Sequence, residues 1–275
     1  DIVGSPISGF ILSVADGVAG LKSWQWLFVI EAIPSLVLGF VTLFYLPDRP
    51  AQARWLSADE KNLIHEALAR DELPAHSLRE GFSDYRVWLF CLADVGIITA
   101  TYGLALWLPQ IVKSMGFDNL QTGFVVAVPY AVAIVTMILW ARISDANGER
   151  FWHVALPALL ASAGLIVAAM TGSGVWAMLA LTVATIGIYA AVAVMWTLPQ
   201  SVLGGTAAAV SIALVNSVGN LGGFAGPAIA GYLKDATGSY SPAMLVFAGG
   251  LAMTAAVTIA MSRFIPVAKP AIVSP

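Results

Sequence analysis

Seven uninterrupted apolar runs constrain this chain more than any other feature: about residues 24 to 46, 87 to 108, 121 to 141, 151 to 171, 175 to 198, 206 to 233 and 242 to 262. Each is close to the roughly 20 residues that cross a bilayer as a helix. The runs are continuous rather than alternating, which excludes a barrel, whose strands alternate apolar and polar positions. A shorter apolar stretch, Ile2 to Ala15, falls below spanning length and lacks the positively charged start of a signal peptide. It is expected to be the end of a helix that begins before the sequence does. Charged residues make up only 11% of the 275 positions, too few for a water-facing surface, so the fold class is an all-α membrane protein.

The same scarcity of charge narrows function. A formal net charge of -3, with no basic tract, excludes nucleic acid as a partner. The single cysteine, Cys91, lies in an apolar run and reads as a small buried hydrophobe, with no disulfide framework and no thiol pair for a metal. His65, His76 and His153 are scattered, and neither H-E-x-x-H nor a phosphate loop is present. No enzyme chemistry, cofactor or metal is expected.

The only polar region of any size, 47 to 86, follows the first full span. Within it Ser57-Ala58-Asp59-Glu60 has the S-x-x-E form of a capping box, and Leu63, Ile64, Ala67 and Leu68 then share one face, so a short amphipathic helix is expected. Basic residues counted over alternate loops divide ten to three. Arg49, Arg54, Lys61, Arg70, Arg79, Arg86, Arg142, Arg150, Arg263 and Lys269 lie on one side, and Lys22, Lys113 and Lys234 on the other. The positive side is cytoplasmic, which puts the polar region and the C-terminus there.

One cytoplasmic loop, "WARISDANGERFWH" (Trp140 to His153), concentrates charge between two spans. Asp145 is expected at the start of a tight turn, Gly148 at a positive φ, and Arg142 and Arg150 as flanking cations that lock neighbouring helices in one state. From spacing alone an ordinary positive-inside loop fits equally. The pattern Ala141, Asp145, Gly148, Arg150 resembles the C-terminal-half copy of the loop signature of the major facilitator superfamily. It departs from that signature at Ala141, usually glycine, and at Glu149, often basic. "WQWLFVIEAIPSLVLGFVTLFYLPDRP" (Trp24 to Pro50), "YGLALWLPQIVKSMG" (Tyr102 to Gly116) and "GTAAAVSIALVNSVGNLGGFAGP" (Gly205 to Pro227) are similar to its anion:cation symporter family of tartrate, phthalate and sugar-acid permeases.

The resemblance covers nearly the whole chain and implies a partial major facilitator fold, helices five to twelve of twelve, in a bacterial inner membrane. Residues 1-46 would end the N-terminal bundle, 47-86 link the halves, 87-265 form the C-terminal six-helix bundle and 266-275 a cytoplasmic tail. Its implied partners are a small organic anion, a coupling proton, the lipid bilayer and the missing helices one to four. The function implied is proton-coupled uptake by alternating access, with a drug or sugar exporter, or a non-transporting receptor, as alternatives.

Polar residues in mid-span are the site candidates, because such transporters bind substrate near the bilayer midplane. Asn216 and Asn220 are four apart on one helix face beside Ser217, and suit either a hydroxy-acid ligand or an interhelical contact in a Gly-rich helix. Trp196, with Thr197, reads from sequence as an interfacial-belt residue. Resemblance to galactonate-type members puts Trp196 and Asn216 where substrate contacts occur. Tyr102 is a further cavity candidate or a structural contact. Asp94 is the proton-coupling candidate, although the resemblance places the main coupling carboxylates in helices one to four, and Glu31 is expected to make a structural polar contact. From Val87 to Met261 no Lys or Arg lies deep within a span, and the resemblance implies that an arginine on helix one meets the anion's charge.

Overall fold

A bilayer offers no water to the backbone, so each apolar run must satisfy its amides within itself, and helices do this. The structure, a computed structural model, describes residues 3–70, 82–172, 174–202 and 205–265. Its helices are α1 (Gly4–Val14), α2 (Ser23–Tyr45), α3 (Ala58–Arg70), α4 (Tyr85–Lys113), α5 (Asn119–Asn147), α6 (Phe151–Thr171), α7 (Val175–Met195), the single turn α8 (Leu198–Val202), α9 (Gly205–Thr237) and α10 (Ser241–Phe264). Seven of them, α2, α4, α5, α6, α7, α9 and α10, are long and apolar enough to cross a membrane. Several outrun the apolar runs that announce them, α5 by continuing through Arg142 and Asp145 to Asn147.

Local chemistry sets the ends. Asp84 precedes α4, and its carboxylate accepts from the Arg86 amide at 2.8 Å and from the Arg86 guanidinium, which holds the carboxyl below the usual aspartate range. Asp118 and Gln121 close a reciprocal capping box on α5. At α3 the expected box is present: Glu60 accepts from the Ser57 amide at 2.8 Å, and Ser57 Oγ accepts from the Glu60 amide at 3.3 Å. Hydrogen bonds from Ser57 lower the Glu60 pKa. Of the expected cytoplasmic features, the tail 266-275 and Arg79 lie outside the described residues.

Packing joins α9 to α4, α4 to α10, α10 to α6, α6 to α7, and α7 to α5, so the last six spans make one bundle. Its contacts are close because side chains are small. A Cβ on Gly96 of α4 would strike the Gly250 carbonyl and Thr254 Oγ1 of α10, and one on Gly187 of α7 would lie 2.8 Å from the Ala161 backbone nitrogen of α6. Lipid tails are as apolar as leucine, so such approaches hold membrane helices together through van der Waals contact. Two buried hydroxyls tie helices directly: Ser162 donates to the Ala248 carbonyl at 2.8 Å and Thr254 to the Ala93 carbonyl at 2.7 Å.

α1 crosses α5 where a Cβ on Gly9 would lie 3.3 Å from Gly123 Cα. α2 packs on α1, and Ser8 Oγ donates to Glu31 Oε1 at 2.5 Å across that contact. The polar contact expected of Glu31 is therefore made. None of the apolar window of α2 is buried, against 50% of that of α4. The first two helices thus stand beside the bundle rather than within it.

The α4–α10 crossing gives a direct test. Gly96→Leu must move backbone as well as side chain, and overpacking of this kind costs about 1–3 kcal/mol. The detergent-solubilised variant should melt several degrees below the parent, whereas Gly39→Leu, where a Cβ meets nothing within 4 Å, should melt with it.

Candidate functional site

Helices α4 and α9 run parallel along a seam of glycines. A Cβ on Gly219 would meet Asp94 Oδ2, one on Gly222 would lie 2.8 Å from the Val95 carbonyl oxygen, and one on Gly223 would lie 3.2 Å from Tyr102 Cδ2. Further along, Trp107 Nε1 donates to the Pro227 carbonyl at 3.1 Å. The small face of α9 is consumed by this contact, and its other face is left open: Asn216, Ser217, Asn220, Leu221 and Phe224 are all exposed. Only 22% of the apolar window of α9 is buried.

Along the open edge the two asparagines engage each other. Asn220 Nδ2 donates to the Asn216 carbonyl at 2.8 Å and to Asn216 Oδ1 at 2.5 Å, while Ser217 Oγ donates to its own helix at the Ala213 carbonyl. The Asn216 amide nitrogen and Asn220 Oδ1 have no partner among the described residues, which leaves a donor and an acceptor presented together. Tyr102, 49% exposed, lies against Gly223 on the same seam. The structure therefore brings Tyr102, Asn216 and Asn220 to one edge. Asp94 lies beneath it, 2% exposed, and its Oδ2 has no hydrogen-bond partner among the described residues.

Trp196 and Thr197 sit where α7 ends. Trp196 follows the last residue of α7 and is half-buried against the bundle core, and Thr197 Oγ1 donates to the Val194 carbonyl at 2.7 Å. No hydrogen bond or ring contact joins either to Asn216 among the described residues. An aromatic pair not foreseen from sequence joins Tyr130 of α5 and Tyr189 of α7, whose rings meet edge-on at 5.7 Å. Tyrosines inside apolar runs carry no spacing that marks them.

At the other candidate, the α5–α6 turn, Asp145 belongs to the last turn of α5 rather than to the loop, because the helix ends only at Gly148, with φ 62. Arg150 Nη1 reaches back to Asp145 Oδ1 at 2.5 Å and to Ser144 Oγ at 3.1 Å, and Ser144 donates to the Glu149 carbonyl at 2.7 Å. Asp145 is 65% exposed in this pair, so the ion pair contributes at most about 1 kcal/mol, and the buried Ser144 with the left-handed glycine fixes the turn. Arg142, expected in the same cluster, is exposed and has no ion pair or hydrogen bond among the described residues. Glu149, the departure from the resembled signature, caps α6: its carboxylate accepts from the Trp152 amide at 2.9 Å and faces His153 Nδ1 at 2.9 Å. Trp140 closes the hairpin by donating to the His153 carbonyl at 2.8 Å.

Among the described residues, a cavity of about 550 Å³ at the end of α2 beside Tyr45, Arg54 and Trp55 and an apolar crevice of about 220 Å³ between α5, α6 and α7 lie elsewhere. Neither is lined by the residues of the α4–α9 edge. Among the described residues no group of three or more His, Cys, Asp or Glu side chains could hold a metal.

A bundle of spanning-length helices with a polar edge on one helix and a charged turn at one end defines a multi-pass membrane protein. The chain is a member of the Major Facilitator Superfamily, whose model matches residues 2–227. Members of that family are transporters, not enzymes. Over 269 residues it is 44% identical to the "Putative tartrate transporter" of Agrobacterium vitis, covering 96% of this chain and 62% of that protein. It is 36% identical to the inner membrane transport protein RhmT of Escherichia coli K12, covering 90% of this chain and 60% of that one. The chain thus spans about three fifths of the length of these relatives. A bacterial homologue of the human lysosomal transporter Spinster, in an inward-facing and occupied conformation, shares the fold with a TM-score of 0.63 at 17% identity, over 94% of this chain and 63% of that one.

The turn carries its own prediction. Gly148→Ala places a Cβ in the left-handed region at a cost of about 1 kcal/mol or more, whereas Gly148→Asn is tolerated better there. Melting of the purified protein should fall in the order glycine, asparagine, alanine.

Proposed function

We propose that this chain is the C-terminal part of a secondary active transporter that takes up a small organic anion, a hydroxy acid or sugar acid, together with protons. The observation that carries the proposal is the open edge of α9, where the exposed Asn216 and Asn220 present amide groups beside Tyr102 in an otherwise apolar span. Polar groups in a span face a cavity or a partner, and this edge faces away from its own bundle. The relative named for tartrate supports the substrate class, since a hydroxy acid both accepts and donates hydrogen bonds.

In this reading residues 1-46 belong to the N-terminal bundle, 47-86 form a cytoplasmic linker and 87-265 the C-terminal bundle, in a bacterial inner membrane with the C-terminus cytoplasmic. The anion sits between the bundles. Its charge is met by the N-terminal bundle, because α4 to α10 place no Lys or Arg deep in a span. Trp196 and Thr197 join the site when the bundles close, and transport is the rocking of one bundle against the other. The α5–α6 turn, through Asp145, Gly148 and Arg150, belongs to the cytoplasmic latch, with the exposed Arg142 available to the opposing bundle.

The test is uptake by a full-length parent in proteoliposomes, offered tartrate, galactonate, glucuronate and phthalate with and without an imposed pH gradient. Accumulation of one of these acids that collapses with a protonophore is the expected result, and absence of uptake for all four would overturn the reading. Asn216→Ala should raise the half-saturating anion concentration at unchanged expression. Asp145→Asn should slow turnover with little effect on binding, and normal turnover would remove the turn from the mechanism.

A further inference from the structure

We infer that Asp94 carries a coupled proton within this bundle, and that Gly219 is the position through which its charge state acts on the Asn216–Asn220 pair. This rests on the anion uptake proposed above and adds to it a named proton site and its route to the ligand edge.

The placement of Asp94 makes the case. It is 2% exposed within the 29-residue spanning helix α4, about a third of the way along, and Oδ2 has no partner among the described residues. An unpaired carboxylate in such a place costs several kcal/mol, so residues of this kind in membrane spans mark ion or proton pathways. No charged neighbour among the described residues discharges that cost. α9 carries no Asp, Glu, Lys, Arg or His between Gly205 and Leu233, and α10 carries none between Ser241 and Ser262. Charged groups on those helices lie at their ends: Lys234, Asp235 and Arg263. On α4 itself Cys91 is one turn away and Tyr102 two turns on, and the span of α7 contributes Tyr189 as its titratable group. The nearest hydroxyl from α10, Thr254, is already committed to the Ala93 carbonyl at 2.7 Å and the Gly250 carbonyl at 3.2 Å.

Gly219 supplies the route. A Cβ there would collide with Asp94 Oδ2, so the carboxyl rests directly on the backbone of α9. Asn216 and Asn220 lie three residues before and one after Gly219, on the same turn. A charge appearing on Asp94 is therefore felt, in a low-dielectric setting, by the turn of α9 that holds both amides. On loading, a proton binds the carboxylate and forms an O–H bond, and the neutral acid fits the dry seam. On release to the cytoplasm that bond breaks, and the carboxylate left behind needs a donor or water that only a shift of α9 against α4 can admit.

The test uses the full-length parent in proteoliposomes loaded with a pH-sensitive dye, with labelled tartrate as the probe and proton and tartrate fluxes read together. In Asp94→Asn the ratio of protons to tartrate should fall by one, whatever the effect on rate, and an unchanged ratio overturns the inference. Gly219→Ala tests the route independently of Asp94 substitution. By displacing the carboxyl it should move the midpoint of the pH dependence of uptake by about one unit. A plain packing defect would lower uptake at every pH with the midpoint in place, and that result would remove Gly219 from the coupling. Parent protein that moves none of the four acids would count against the uptake reading. Parent protein that moves tartrate with protons, at a ratio Asp94→Asn leaves unchanged, would count against the Asp94 inference alone.

Discussion

The approach of α4 to α9 across glycines is the contact on which the functional architecture depends. In a bilayer the gain from bringing two helices together comes from dispersion and from hydrogen bonds, both of which demand short distances. Gly219, Gly222, Gly223 and Gly226 provide those distances by presenting nothing but backbone to Asp94, Val95, Thr99, Tyr102 and Gly103. The same geometry that glues the helices turns the asparagines outward. Adhesion and site are two faces of a single helical period, because 219 and 223 cannot point at α4 unless 216 and 220 flank the contact.

The α5–α6 turn is held by a different logic. Its ion pair is mostly in solvent and weak, whereas Ser144 is fully buried and hydrogen-bonded on both sides of the turn. A turn built this way keeps its shape while its exposed acid and base remain available to other partners. Glu149 caps α6 as a carboxylate should at a helix start, where the macrodipole and the free amides both favour negative charge.

Spanning helices were legible because bilayer thickness imposes a length on them, and every one of the seven apolar runs became a helix. The α3 capping box was legible for a similar reason: S-x-x-E has one local meaning. Helix ends were less so. Nothing in the apolar run of α5 signals that it continues through Arg142 and Asp145, since charged residues extend a helix into water as readily as they end it. At the candidate site, the shared face of Asn216 and Asn220 followed from their spacing. That Tyr102 lies on the same seam depends on which helices are neighbours, a tertiary fact with no trace in the one-dimensional pattern. The burial of Asp94 under Gly219 is of the same kind.

A helix rich in glycine and asparagine is a poor passenger for the insertion machinery. The mean hydropathy of the α9 window is 1.2, the lowest of the seven, against 1.8 for α4 and 2.3 for α5. α4 precedes it in the chain and is the more apolar of the two. The glycine seam therefore has a role during synthesis as well as afterwards: by the time α9 emerges, a complementary surface is already in the membrane, and docking there supplies what its own side chains withhold. The order of the helices along the chain is in this sense part of the folding mechanism.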